Sequence, residues 1–495
     1  MILNLLGYMP DSDPTVAGVL INASAAVPSL RGMKGAPSPV TAGMATLAAT
    51  CQGAAAITKL DASKRFFAGT PTKLYEAAAS TWTDVSRSAA YTPTNTLRWR
   101  FAQFGNTTLA VNGADTMQAS VSAGAFSDVA GSPIATIIET VGAFVLVFNT
   151  SSDASGWQCA GINNYTSWAT SIATQATSGS LTATPGPITA ARKFGSQIVA
   201  YKNNSMYLGT NVGPPNIWQF DQIPGTAGAM SQESVVNIGT SENPKHIIMG
   251  EDNFYIYDGS KPVPIGTPRY VTQQGTDIAN RVKITVFTAI LQSRYYACAA
   301  LHDRINGRVY FYYPIADSVF PDSCVVYNYR TDKWGVDNRQ IEIPCEWITP
   351  GISYDSLGAS YNTYNDLPLL PYGIAFLSNA QPQPAFFGTN SFLQTLTGVA
   401  GNTSITTGDI GEDEQFNCLS RVRPRFLTAP TSATMTNYYR NNPGDSLTMG
   451  ATTTLSSNNT FDALRDARWH RLRFSMVGDW EMGVADVEYA GGGFE

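Results

Sequence analysis

Short runs of β-branched and aromatic residues recur along this chain about every fifty residues. Each run is followed by a tight polar turn, a second run, and then a Trp, Phe or Tyr with Asp close by. One copy runs from Phe66-Phe67-Ala68-Gly69-Thr70 through Leu74-Tyr75 to Trp82-Thr83-Asp84-Val85. Others begin at Leu109, Val145, Ile198, Phe254 and Val309, and a weaker seventh begins near Ile374-Ala375-Phe376. Copies start roughly 36 to 65 residues apart, which marks a divergent repeat and not a tandem array. Short strands at this period are what stacked four-stranded blades produce. The pattern predicts an all-β chain: a divergent β-propeller of six to eight blades with an added C-terminal antiparallel β domain.

Turn signals punctuate the repeat at Asn112-Gly113, Pro185-Gly186-Pro187, Asp258-Gly259 and Asn306-Gly307. Asn306-Gly307, between Leu301–Ile305 and Arg308–Tyr312, reads as a hairpin. Residues 1–55 are rich in Pro, Gly and Ala and carry little periodicity, so an extended arm is expected there. Within it, residues 41–56 suit a short helix or a strand equally well. The propeller is expected over residues 56–400 and the added domain over 401–495. In that last segment, alternation places Arg421, Arg423 and Arg425 on one strand face, with Pro424 confining the strand to an edge or its beginning. A second alternating run puts His470, Leu472, Phe474 and Met476 on one face and Trp469, Arg471 and Arg473 on the other. These two runs predict a β-sandwich.

Composition narrows the picture. Only 14% of the 495 residues are charged, while 43% are hydrophobic and 11% aromatic. Such a chain is too apolar for disorder, and a surface this poor in charge is expected to lie against partners. The formal net charge of −6 argues against gripping nucleic acid by its phosphates, but not against letting it slide past. The six cysteines are scattered without metal-type spacing and read as buried thiols. The N-terminus lacks a basic leader pattern, and no apolar run approaches a membrane span, so folding in a cytoplasm without membrane insertion is expected.

The search for chemistry returns little. The three histidines, His246, His302 and His470, lie near no recognisable nucleophile, and no G-x-S-x-G, P-loop or dinucleotide fingerprint is present. The acidic cluster of Asp409, Glu412, Asp413 and Glu414 lacks the spacing of a calcium loop and is expected to pair with the arginines downstream. Ser152-Asp153-Ala154-Ser155-Gly156-Trp157 approximates the Asp-box turn of sialidase propellers, with the wrong spacing. Glycosidase carboxylates pair in space and leave no spacing to find. The expectation is therefore no catalytic, cofactor or metal residues. Arg421, Arg423, Arg425, Arg471 and Arg473 are the candidate interface residues, with ordinary intradomain ion pairs as the competing reading.

Several phrases resemble the tail nozzle, or tail hub, proteins of short-tailed bacteriophages. They are Leu6-Gly7-Tyr8-Met9-Pro10-Asp11, Ala68–Tyr75, Trp99–Gly105, Ala200–Gly209 and Val326-Tyr327-Asn328-Tyr329-Arg330-Thr331-Asp332-Lys333-Trp334-Gly335. The likeness spans residues 1 to about 340, thins to 400, and returns as a general pattern around 469–480. It implies a structural virion protein forming a homo-hexameric ring below the head-tail adaptor protein. Tail fibres or spikes and a needle would attach to that ring, and double-stranded DNA would pass through it transiently. The implied place is the virion tail, assembled in the host bacterial cytoplasm. A glycan-binding or glycan-cleaving host-recognition propeller is the alternative, motivated by Trp157, Trp168 and Trp218 in expected loops. An adhesion or scaffolding propeller is a third.

Overall fold

The computed structural model describes residues 1–60, 63–267, 281–348, 382–442 and 444–491. Seven four-stranded antiparallel blades form a closed ring. Their innermost strands are Gly53–Thr58, Arg100–Phe104, Ala135–Val141, Ala190–Phe194, Val235–Asn237, Ala299–Asp303 and Ile341–Trp347. Each lies beside the next, and the seventh returns to the first. The middle strands of a blade are covered on both faces by neighbouring blades. That is why Phe144–Thr150, Arg308–Tyr313 and Ser323–Asn328 read as near-continuous apolar runs instead of alternating ones.

The recurring sequence unit marks the second strand in five blades, but in the fifth blade it marks the third, Phe254–Tyr257. The weak seventh copy near Ile374 lies outside the described residues. The Val326–Gly335 phrase, with Tyr327, Asn328, Tyr329, Thr331 and Trp334, is the last hairpin of blade 6. Asn328 accepts from the amides of Arg330 and Thr331, Tyr327 donates to Asp332, and the Tyr327 and Trp334 rings meet at 4.8 Å in the core.

The expected boundary between arm and propeller requires correction. The first blade begins at Gly53, so a cut at residue 56 falls inside its inner strand. Nor is the arm a separate run. Its Ser38–Thr41 strand pairs with Leu393–Gly398 and supplies the outer strand of blade 7, closing the ring with a segment some 350 residues away in sequence. Residues 41–56 are neither wholly helix nor wholly strand: Thr41 ends one strand, a connection follows, and Gly53 begins the next.

The rest of the arm joins the C-terminal domain, which is a two-sheet sandwich. One sheet runs from blade 6 without a break. Lys333–Val336 pairs with Ala26–Pro28, then follow Met33–Gly35, Glu481–Gly491, Asn417–Thr428 and Phe461–Ala467, with Ile2–Asn4 added on Glu481–Gly491. The other sheet orders Gly7–Tyr8, Val19–Ser24, Asn402–Gly411, Trp469–Val477, Ser432–Arg440 and Thr448–Thr454. Between them Leu3, Leu20, Met33, Ile405, Val422, Met435, Leu472, Phe474, Trp480 and Val487 form one buried core. Asp11 anchors the arm to the propeller by accepting from the amides of Ile284 and Thr285, at the start of the short Lys283–Phe287 helix.

Candidate functional site

The three histidines are all buried and engaged. His246 joins blades 4 and 5, its Nδ1 at 2.5 Å from the Tyr201 hydroxyl and its Nε2 at 3.0 Å from the Lys193 carbonyl. His302 Nε2 meets the Tyr329 hydroxyl, and His470 Nε2 meets the Asn417 carbonyl. Burial holds His246 and His302 down at about 4, and lowers His470 as well. The three tryptophans expected in loops are core residues. Trp157, Trp168 and Trp218 are each less than 10% exposed, which removes the aromatic platform that motivated the glycan reading. Trp157 faces Gly179 across the blade, where a Cβ would sit 2.9 Å from the indole. Asp153 is a turn residue, accepting from the Ser155 amide between two strands of blade 3.

One ion pair spans the ring of inner strands and a second joins two neighbouring ones. Arg100 of blade 2 reaches Glu233, just ahead of blade 5, with contacts of 2.7 and 3.0 Å, and donates to the Thr136 carbonyl. Arg192 of blade 4 pairs with Glu139 of blade 3 at 3.3 Å. Burial raises Glu139, and Arg192 only partly offsets this. Burial would raise Glu233 too, but the Arg100 guanidinium outweighs it and holds the carboxyl below its ordinary range. Two cavities of about 290 and 160 Å³ lie along the inner strands, far too small for a nucleic-acid duplex.

The candidate arginines lie on the two outer faces of the sandwich. Arg421, Arg423 and Arg425 share one exposed face, as the alternation predicts, while Val422 and Pro424 point inward. The strand is not at the sheet edge: it lies between Glu481–Gly491 and Phe461–Ala467. Pro424 is tolerated because the pairing to Phe461–Ala467 stops at Val422, leaving that side of the strand open. Acids stand in register opposite the arginines. Arg421 faces Glu488 on one side and Asp462 on the other, and Arg423 faces Asp486. Arg421 turns to Asp462 at 2.9 Å and Arg425 to Asp486 at 3.3 Å. Among the described residues this leaves Arg423 and Glu488 without a salt bridge. Ion pairing within the domain therefore accounts for two of the three.

Arg471 and Arg473 belong to the other sheet. Arg471 and Arg440 clamp Asp409, whose side chain is fully buried, at 2.7 and 2.6 Å. Asp413 accepts from Trp469. The acidic cluster thus pairs in part with downstream arginines, and no metal-type grouping occurs among the described residues. Arg473 stands differently. Register places it in a cross-strand row with Asn22, Thr406, Thr436 and Thr452. The next row holds Ser24, Ser404, Ser475, Thr434 and Thr454. Arg473 is exposed and makes no salt bridge among the described residues; hydroxyls and amides fill its own row and the next, while the row on its other side carries Arg471 and Asp409. Sequence reasoning missed this face because its residues come from five strands far apart along the chain.

Fold and surfaces together define a seven-bladed β-propeller braided to a β-sandwich. No known family and no curated protein matches the chain. Among solved structures it is similar to BBS1N in complex with ARL6DN, with 9% identity, a TM-score of 0.38, and coverage of 74% of this chain and 97% of that one. It is also similar to an exo-β-1,3-galactanase from Phanerochaete chrysosporium with galactose, at 9% identity and a TM-score of 0.26, covering 91% and 100%. Likenesses this weak carry no argument about activity or partners. No helix among the described residues is long and apolar enough to cross a membrane.

Proposed function

We propose that this chain is a structural subunit of a bacteriophage tail, forming a homo-hexameric nozzle ring below the head-tail adaptor and a dock for fibres, spikes or a needle. The observation that carries the reading is where the resembling phrases fall. Leu6–Asp11 anchors the arm, Ala68–Tyr75 spans a hairpin of blade 1, and Trp99–Gly105 opens blade 2. Ala200–Gly209 is a hairpin of blade 4, and Val326–Gly335 ends blade 6. The phrases therefore belong to one architecture in one order. Because the Arg100–Glu233 pair spans the ring of inner strands and the cavities there are small, DNA would travel through the lumen between copies and not through a single chain. Six copies at −6 give −36 (6 × −6), so a duplex passing through would be repelled more than held. Negative-stain imaging of the purified chain tests this: a six-fold ring with a lumen admitting duplex DNA is expected, and a permanent monomer would overturn it.

A second reading, a glycan-cleaving propeller, draws on the two cavities along the inner strands. Glu139 lines one and Glu233 the other, and burial raises the first carboxyl while Arg100 holds the second down. Release of oligosaccharides from host surface polysaccharide would favour it, and their loss in Glu139→Gln would locate the chemistry.

A further inference from the structure

Blade 6 turns a row of unpaired polar groups into its seam with blade 7. Arg308, Tyr310 and Tyr312 alternate along the Arg308–Tyr313 strand and so share one of its faces. Tyr310 and Tyr312 pack there in one core cluster with Ile341, Phe386 and Leu396 of blade 7. All three residues are 2% exposed or less. Arg308 Nε donates to the Pro28 carbonyl of the arm at 2.8 Å. Its Nη1 and the two tyrosine hydroxyls have no hydrogen-bond partner among the described residues. Arg308 makes no salt bridge among them either, although the buried Asp303 stands directly opposite it on the inner strand. Both Asp303 oxygens instead accept from Asn306. Asp337, also buried, is held through both oxygens by Arg339 at 2.9 Å.

An orphaned buried donor and a buried ion pair that does not close are both costly, and a third party between the groups relieves both. Chemistry selects that third party. Arg308 only donates, so the occupant must accept. Asp303 as a carboxylate only accepts, so an occupant that reaches it as well must also donate. A halide cannot donate, and it would face the Asp303 and Asp337 carboxylates. A metal cation would face Arg308. Water does both, and a buried water typically makes about three hydrogen bonds to groups the protein leaves unpaired. Burial pushes both phenols up, so each hydroxyl keeps its proton and can donate or accept. The hydroxyls stand on nearly parallel rings 6.3 Å apart and do not bond each other. We infer that this seam binds ordered water, one molecule joining Arg308 Nη1 to Asp303 and the Tyr310 hydroxyl, and a second serving the Tyr312 hydroxyl. The site ties blades 6 and 7 to the arm at Pro28, where the propeller passes into the sandwich. It is independent of either functional reading.

The test uses the full chain. A crystal structure at a resolution that shows ordered water is expected to place water within hydrogen-bond distance of Arg308 Nη1 and of a tyrosine hydroxyl. Crystals grown in bromide are expected to show no anomalous peak there. Tyr310→Phe and Tyr312→Phe keep the ring and remove only the hydroxyl, so both are expected to fold. Scanning calorimetry then tells a wet seam from a dry one by the sign of the shift. Removing a hydroxyl that bonds water is expected to lower the melting temperature by about 1 to 3 °C. Removing one from a dry seam would leave it unchanged or raise it, because an unpaired buried group is lost. A seam without ordered density, a bromide peak, or variants that melt at or above wild type would each overturn the assignment of water.

Discussion

Acidification offers the sharpest check on the blade 4 to blade 5 junction. His246 is fully buried and bonded at both ring nitrogens. With Nε2 donating to the Lys193 carbonyl, Nδ1 accepts the Tyr201 hydroxyl proton, an arrangement that holds only for a neutral ring. Burial accordingly depresses the group from its ordinary 6.5 to about 4. In the unfolded chain the imidazole binds a proton below pH 6.5, whereas the folded protein resists doing so until near pH 4. The unfolded state holds more protons in this window, so stability falls as pH drops from 6.5 to 4 and is unaffected above it. The slope is about 1.4 kcal/mol per pH unit, and the whole window amounts to about 3 kcal/mol. Urea unfolding of wild type and His246→Gln at pH 7.5, 6.5, 5.5 and 5.0 isolates the contribution, because His302 and His470 titrate alike in both proteins. At pH 7.5 the variant is expected to be less stable by about 1 to 3 kcal/mol, from the lost hydrogen bonds. That gap should narrow by about 2 kcal/mol between pH 6.5 and 5.0. A gap that does not change with pH would refute the argument.

Asp409→Ala leaves two guanidinium groups, 13% and 17% exposed, without their shared carboxylate. A loss of about 3 to 5 kcal/mol is expected in urea unfolding, and a smaller loss in Asp409→Ala/Arg471→Met. Replacing Arg421, Arg423 and Arg425 together by Ser removes two exposed salt bridges, each worth less than about 1 kcal/mol. Ring formation followed by sizing should therefore suffer more than the melting temperature, and equal loss of both would show the row to be purely internal. Gly53→Ala places a Cβ 2.1 Å from the Trp99 carbonyl oxygen, and about 1 to 3 kcal/mol of destabilisation should appear in thermal melts.

What was legible in the sequence follows from where strands are buried. Middle strands such as Val145–Phe148 are covered on both faces and announce themselves as apolar runs. The inner strand Gly53–Thr58 is not legible as a start because its first four residues are Gly and Ala, small enough to pass beneath Trp99. Ring closure by Ser38–Thr41 left no trace, since a short, largely exposed strand has no local pattern that names its partner. Alternation exposed the arginine row, but Asp462 and Asp486 lie 41 and 61 residues from their partners, and only folding brings them opposite. The same limit hid the Arg473 face. Trp157, Trp168 and Trp218 misled because turn-rich flanks look alike whether the aromatic faces solvent or core.

The route of the first forty residues has a consequence for biosynthesis. They emerge early from the ribosome, yet their partners are Leu393–Gly398 and Glu481–Gly491. At about 5 to 20 residues per second, the arm waits roughly 20 to 90 s for the last of them. Until Leu393–Gly398 is made the Ser38–Thr41 strand has no blade to close, and until Glu481–Gly491 follows half the sandwich has nothing to pack on. A product that ends before Leu393 completes neither module, and one that ends before Glu481 completes the ring of blades but not the sandwich.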